Sequence, residues 1–133
     1  MNRPGKKETA TLQVERVGDV TVIRIVGSMT ADGLSGDLRS AAQKAVESDR
    51  ANCILDVSEV EEFDASGLGE ILAALAILSE EGGTLAVAQP SQGFRDFFHD
   101  TDYLTGPSRV FSSIDDAIEA LRKGAGSFIP DTD

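Results

Sequence analysis

The stretch CILDVSEVEEFDASGLGEILAALAIL, residues 53–78, decides how the rest of the chain is read. It opens on a short apolar run, Cys53, Ile54, Leu55 and Val57, the pattern of a buried strand. An acidic connection then runs from Glu59 to Asp64. From about Ser66 the apolar positions Leu68, Ile71, Leu72, Leu75 and Leu78 recur at the spacing of one helical face. A strand therefore delivers the chain to a helix N-terminus that carries a hydroxyl. Asp64 and Ser66 both suit the N-cap, and Gly67 permits a tight turn or the close approach of a partner.

Upstream, Thr11–Val17 alternates in the manner of an edge strand, and Gly18-Asp19 supplies a hairpin turn. Val20–Val26 is almost continuously apolar and β-branched, which suits a more central strand ended by Gly27. Thr30 to Gly36 reads as a loop, with Thr30 and Asp32 as candidate caps for the helix that follows. Leu34, Leu38, Ala41, Ala42, Ala45 and Val46 mark one face of that helix, which runs to about Ser48.

Downstream, Gly82-Gly83 closes the central helix and Thr84–Ala88 is a short buried strand. Pro90-Ser91 opens a short helix with Phe94, Phe97 and Phe98, and residues Arg109 to Phe111 form a last edge strand. Ser113 and Asp116 resemble a capping box for a helix that turns Ile114, Ala117, Ile118 and Leu121 inward. Arg122, Lys123 and Gly124 end it. The order predicts one α/β domain over residues 11–123, a mixed four- to five-stranded sheet packed against about four helices. Flexible tails are expected at residues 1–10 and 124–133.

The chain has 133 residues and 41% hydrophobic content, enough for one core and not for two. A single cysteine, Cys53, rules out an intramolecular disulfide. The polar start MNRPGKKETA has no apolar signal region, and no apolar run approaches the ~20 residues that span a bilayer. A cytoplasmic protein without membrane attachment is expected. The net charge of −11 argues against nucleic acid as a partner, since phosphates are met by Lys and Arg. No Lys or Arg lies between Arg50 and Arg95, while Asp56, Glu59, Glu61, Glu62, Asp64, Glu70, Glu80 and Glu81 all do. That run is either a solvated surface or a face that meets a basic-rimmed protein.

The run LDVSEVEEFDASGLGEIL resembles the signature of STAS domains, and within them the anti-anti-sigma factors, also called anti-sigma factor antagonists. The family pattern is an aliphatic strand ending in Asp, a short loop, then Asp-Ser-Ser-Gly-Leu-Gly opening a helix. The resemblance extends over about residues 11–123. It implies the mixed-sheet fold, and it places the family's phosphorylated serine at Ser66. Ala65 stands where the family usually has another Ser. After the second strand the family reads Gly-Glu-Leu-Asp, whereas Gly27-Ser28-Met29-Thr30 stands here, with Asp32 two residues on.

What the resemblance implies is a phosphorylation-controlled binding module. The unphosphorylated form binds an anti-sigma factor that is a Ser/Thr kinase and so frees a sigma factor; a Ser/Thr phosphatase resets the modified form. Ser66 would be the switch, with Asp64, Ala65, Gly67, Leu68, Thr30 and Asp32 as the partner-binding surface. A second reading is a constitutive STAS scaffold or accessory subunit, for example of a transporter ATPase, with no switch. From the residues alone Ser66 is either a helix cap or a phosphoacceptor, for which a helix N-terminus is electrostatically suitable.

Other chemistries lack their residues. Asp56 at a strand end invites comparison with phospho-Asp receiver domains, but no Lys lies between Lys44 and Lys123 to serve one. His99 is the only histidine and has no Cys or His beside it for a metal site. There is no Gly-x-Ser-x-Gly elbow, no dinucleotide fingerprint and no phosphate loop. The expectation is a binding protein, with no cofactor, no metal and no catalysis.

Overall fold

Thr11–Val17 (β1) pairs antiparallel with Val20–Met29 (β2) across the Gly18-Asp19 turn. Three parallel strands follow, Asn52–Phe63 (β3), Thr84–Ala88 (β4) and Val110–Phe111 (β5), in the spatial order β1-β2-β3-β4-β5. The connecting helices are Asp37–Glu47 (α1), Ala65–Ser79 (α2) and Gln92–Thr101 (α3), and Ile114–Arg122 (α4) closes the order. The computed structural model of the chain describes residues 10–31, 33, 36–49, 51–101, 110–124 and 128, with side chains described throughout except at 98–101. Asp32, Leu34, Arg109 and the side chains of Phe98 and His99 lie outside the described residues. The result is the expected mixed α/β sheet with four helices.

Alternation along the strands divides the core in two. Ile23, Ile25, Cys53, Leu55, Leu85 and Val87 face α1, α2 and Phe94 of α3. Val20, Val22, Ile54, Ala86 and Ala88 face Ala117 and Leu121 of α4. Parallel strands laid down in sequence order, with their crossover helices packed into one core layer, are what a single hand of connection produces.

Several boundaries differ from the sequence expectation. Strand β2 does not stop at Gly27 but continues to Met29, and β3 does not end near Val57 but runs to Phe63. The supposed acidic connection is strand. Two register shifts between these strands, at Arg24/Val26 and at Gly27/Ser28, are the reason. Each bulge offsets the alternation, so that Val57, Val60 and Phe63 all join the same core layer although they are three residues apart. An apolar residue at every third position matches neither a strand nor a helix period.

Helix α1 begins at Asp37, and its N-cap is Gly36 in the left-handed region, without a side-chain cap. Thr30 is therefore not a cap; it follows β2 directly. On α2 the buried stripe is Gly67, Ile71, Ala74 and Leu78, with Leu68 and Leu75 half-buried beside it. Leu72, expected inside, is 39% exposed. The expected tails dock at one residue each. Ala10 is buried and donates to the Gly33 carbonyl (3.0 Å). Phe128 is buried against the α1–α2 core layer, and its N–H reaches the Leu85 carbonyl (2.7 Å), on the β4 edge that two-residue β5 leaves unpaired.

Candidate functional site

The end of β2 and the end of β3 together position the α2 N-terminus. Asp64 leaves β3 in an extended conformation and its N–H donates to the Met29 carbonyl (3.3 Å). Its carboxylate Oδ1 accepts from the N–H groups of Ser66 (2.8 Å) and Gly67 (3.3 Å), so Asp64 is the N-cap. A carboxylate there also opposes the positive end of the helix dipole. Ser66 is the second helical residue and is exposed. No hydrogen bond among the described residues uses its Oγ, so the hydroxyl is not a cap.

Gly67 fixes how close this corner sits. A Cβ at this position would meet the Met29 carbonyl oxygen, and would lie 2.9 Å from both Met29 Cβ and Phe63 Cε1. Only hydrogen fits between the helix and the ends of the two strands. Phe63 in turn packs on Phe94 and Phe97 of α3, with ring centroids 4.6 and 5.2 Å away. Ser91 ties α3 to the same place, its Oγ donating to the Val60 carbonyl (2.6 Å) and accepting from Phe94 N–H (3.2 Å).

Of the residues expected at the site, Asp64, Ala65, Ser66, Gly67 and Leu68 form one continuous turn, and Thr30 follows Met29 beside it. Asp32 lies outside the described residues. Met29 and Phe63 were not anticipated; the signal available for them was Gly67, which marks a close backbone approach. Arg39 of α1 was also missed. Its Nε donates to Glu70 Oε1 (3.1 Å), joining α1 to α2 one turn below Ser66.

The acidic run does not make one face. Asp56 is fully buried on the α4 side of the sheet, where Oδ2 accepts from Arg24 Nε (3.0 Å) and Oδ1 from Ser58 N–H (3.0 Å). Burial raises its pKa, but hydrogen bonds from Ser58, Gln89 and Arg24 outweigh that and hold it below the usual carboxylate range. Glu59, Glu61 and Glu62 are exposed along the last part of β3, with Glu62 next to the strand end that leads into α2, whereas Glu80 and Glu81 lie beyond the far end of α2, about 20 Å from Ser66 at 1.5 Å per residue.

The exposed residues of α2 are Ala65, Ser66, Gly69, Leu72, Ala76 and Ser79, and none is charged. The solvent side of a helix ordinarily carries charge. Burial pushes the Cys53 thiol up to about 12, so it is a protonated core group. Among the described residues no group of three or more His, Cys, Asp or Glu is placed to hold a metal ion. No helix of the described residues is long and apolar enough to cross a membrane.

An antiparallel hairpin leading three parallel strands, with a serine presented at the second position of the central crossover helix, defines a small α/β domain of STAS topology. The family model described as Mlab, STAS domain matches residues 12–103, well over half of the chain, and the chain belongs to that family. Among solved structures it is similar to an anti-sigma factor antagonist from Mycobacterium paratuberculosis, at 25% identity and TM-score 0.69, over 92% of this chain and 99% of that one. It is similar in fold to the anti-sigma factor antagonist SpoIIAA in its unphosphorylated form (22%, TM-score 0.67, over 85% and 97%). The same holds for Bacillus SpoIIAA in the phosphorylated form (22%, TM-score 0.60, over 84% and 100%). None of the curated protein sequences matches the chain.

Proposed function

We propose that this STAS domain is an anti-sigma factor antagonist whose binding to an anti-sigma factor Ser/Thr kinase is controlled by phosphate on Ser66. The observation that carries this reading is the surface of α2. An exposed, uncapped hydroxyl stands at the head of a helix whose solvent side is free of charge. Such a side suits contact with another protein better than contact with water. The likeness to the mycobacterial antagonist supports the class of partner.

In this reading the kinase transfers the γ-phosphoryl of ATP to Ser66 Oγ, releasing ADP and the hydroxyl proton, and a phosphatase returns the serine by hydrolysis. The modification adds about −1.5 to −2 charges. The α2 dipole offsets part of that charge, by about 0.3–1 kcal/mol, and Asp64 and Glu62 oppose it by a similar screened amount. The free fold is little affected. An interface that covers Ser66 has to desolvate the dianion, at several kcal/mol, which weakens binding by roughly a hundredfold or more.

Incubation with the partner kinase and ATP, followed by mapping of the phosphate by mass spectrometry, tests the proposal. Phosphate on Ser66, its loss in Ser66→Ala, and weak binding of a Ser66→Asp variant that melts like wild type are expected. Equal labelling of Ser66→Ala, or wild-type affinity in Ser66→Asp, would return Ser66 to a plain helix position and favour a constitutive scaffold.

A further inference from the structure

We propose that Arg39 is the intramolecular receptor for a phosphate on Ser66, a role that rests on the phosphoacceptor reading above. Helices α1 and α2 both return from the C-terminal ends of parallel strands, so their N-termini lie at the same end of the sheet, and the two pack side by side. Arg39 is the third residue of α1, and Ser66 and Glu70 are the second and sixth of α2.

The Arg39–Glu70 ion pair locates the guanidinium. Residues four apart on a helix share a side, with Cβ atoms about 5–6 Å from each other. Ser66 therefore stands one turn from the carboxylate that Arg39 already holds, on the flank of α2 that faces α1. The pair uses Nε alone among the described residues, which leaves both terminal nitrogens of Arg39 uncommitted.

The guanidinium lies close over the backbone of Gly36: a Cβ there would stand 3.1 Å from Arg39 Nη2, tight enough that the side chain would have to shift by a few tenths of an ångström. Gly36 also has φ 87° and caps α1 with no side chain of its own, so the positive end of that helix is offset by Asp37 in the first turn and not by a capping side chain. Arg39 is half-exposed and can turn toward the head of α2.

The chemistry favours transfer from Glu70 to the phosphate. A phosphoserine offers three acceptor oxygens and nearly two charges, and the planar guanidinium fork matches them bidentately. Glu70 offers one charge through one bond. The carboxylates that oppose a phosphate here are Asp64, Glu62, Glu70 and, in the first turn of α1, Asp37. Asp64 is already committed to the α2 cap. The next cation on α1 is Lys44, five residues further along, about 7.5 Å by helical rise. Phosphate would thus clasp the N-termini of α1 and α2 together and release Glu70, so that the modified state is displayed on both helices.

The test places phosphoserine at position 66 during synthesis through an expanded genetic code, so that no kinase is needed. The second phosphate pKa is then followed by phosphorus NMR in the full chain, in R39Q and in K44Q. R39Q is expected to raise that pKa by about half a unit or more, and K44Q by less than about 0.2. Equal shifts in the two variants, or none in R39Q, would overturn the role of Arg39. Failure of any kinase to label Ser66 would count against the function proposed above and would leave this measurement unaffected.

Discussion

One oxygen of Asp64 accepts two backbone N–H groups, from Ser66 at 2.8 Å and Gly67 at 3.3 Å. The capping duty at the head of α2 is thereby discharged by a residue that never enters the helix. Ser66, two positions on, keeps an exposed hydroxyl that no hydrogen bond among the described residues uses. The arrangement separates what holds the helix from what the helix presents.

The two glycines of the Gly67-Leu68-Gly69 turn differ in what they do. Gly67→Ala forces a methyl onto the Met29 carbonyl and Phe63, and should cost about 1–3 kcal/mol or more. A Cβ on Gly69 meets nothing within 4 Å, so Gly69→Ala should stabilise the free domain by about 0.5–1 kcal/mol. If Gly69 is there to let a partner approach, the same substitution weakens binding to the partner kinase proposed above while raising the melting temperature. Urea melts with a binding titration read both effects. A Gly69→Ala variant that is both more stable and fully binding would show that no partner closes on that position.

Neighbouring residues on α2 should respond very differently to truncation. Ile71 is fully buried in the stripe that packs on the sheet, and Leu72 is 39% exposed. Ile71→Ala is expected to cost about 2–5 kcal/mol, and Leu72→Ala less than about 1 kcal/mol. Chemical denaturation of the two variants checks the helix phase directly, since a rotation of one residue would exchange the two values.

Asp56 should make stability depend on pH in acid. Its folded-state pKa lies below that of the unfolded chain, so its contribution is complete above about pH 4. It is lost as pH falls through the depressed folded value. Asp56→Asn removes the charge that Arg24 pairs with, and should cost roughly 1.5–3 kcal/mol near neutrality while flattening the acid dependence. Denaturant melts at pH 6 and pH 3 on both proteins isolate this group. A wild-type minus variant difference that is the same at both pH values would contradict the assignment.

Much of this protein is legible in residue order alone. Alternation in Thr11–Val17, the apolar runs of β3 and β4, and the glycines at 82 and 83 locate their elements because local period and backbone freedom act over a few residues. The stretch Asp64 to Gly69 likewise announces a helix start, although only the structure assigns the cap to Asp64 rather than to Ser66. Tertiary structure decided the rest. Residues 57–63 are strand only because β2 extends alongside them and two bulges turn Val57, Val60 and Phe63 to one side, a spacing that no isolated strand produces. Helix α2 is apolar around most of its circumference, so its sequence fits several faces. The close fit of Gly67 on Met29 selects the stripe through Ile71 and leaves Leu72 outside. Asp56 counts as surface charge in any tally of the sequence. It is buried in the fold because Arg24, 32 residues away, arrives on the adjacent strand with the opposite charge. Pairings of that kind depend on which strands become neighbours, and that is settled by the packing of the whole sheet.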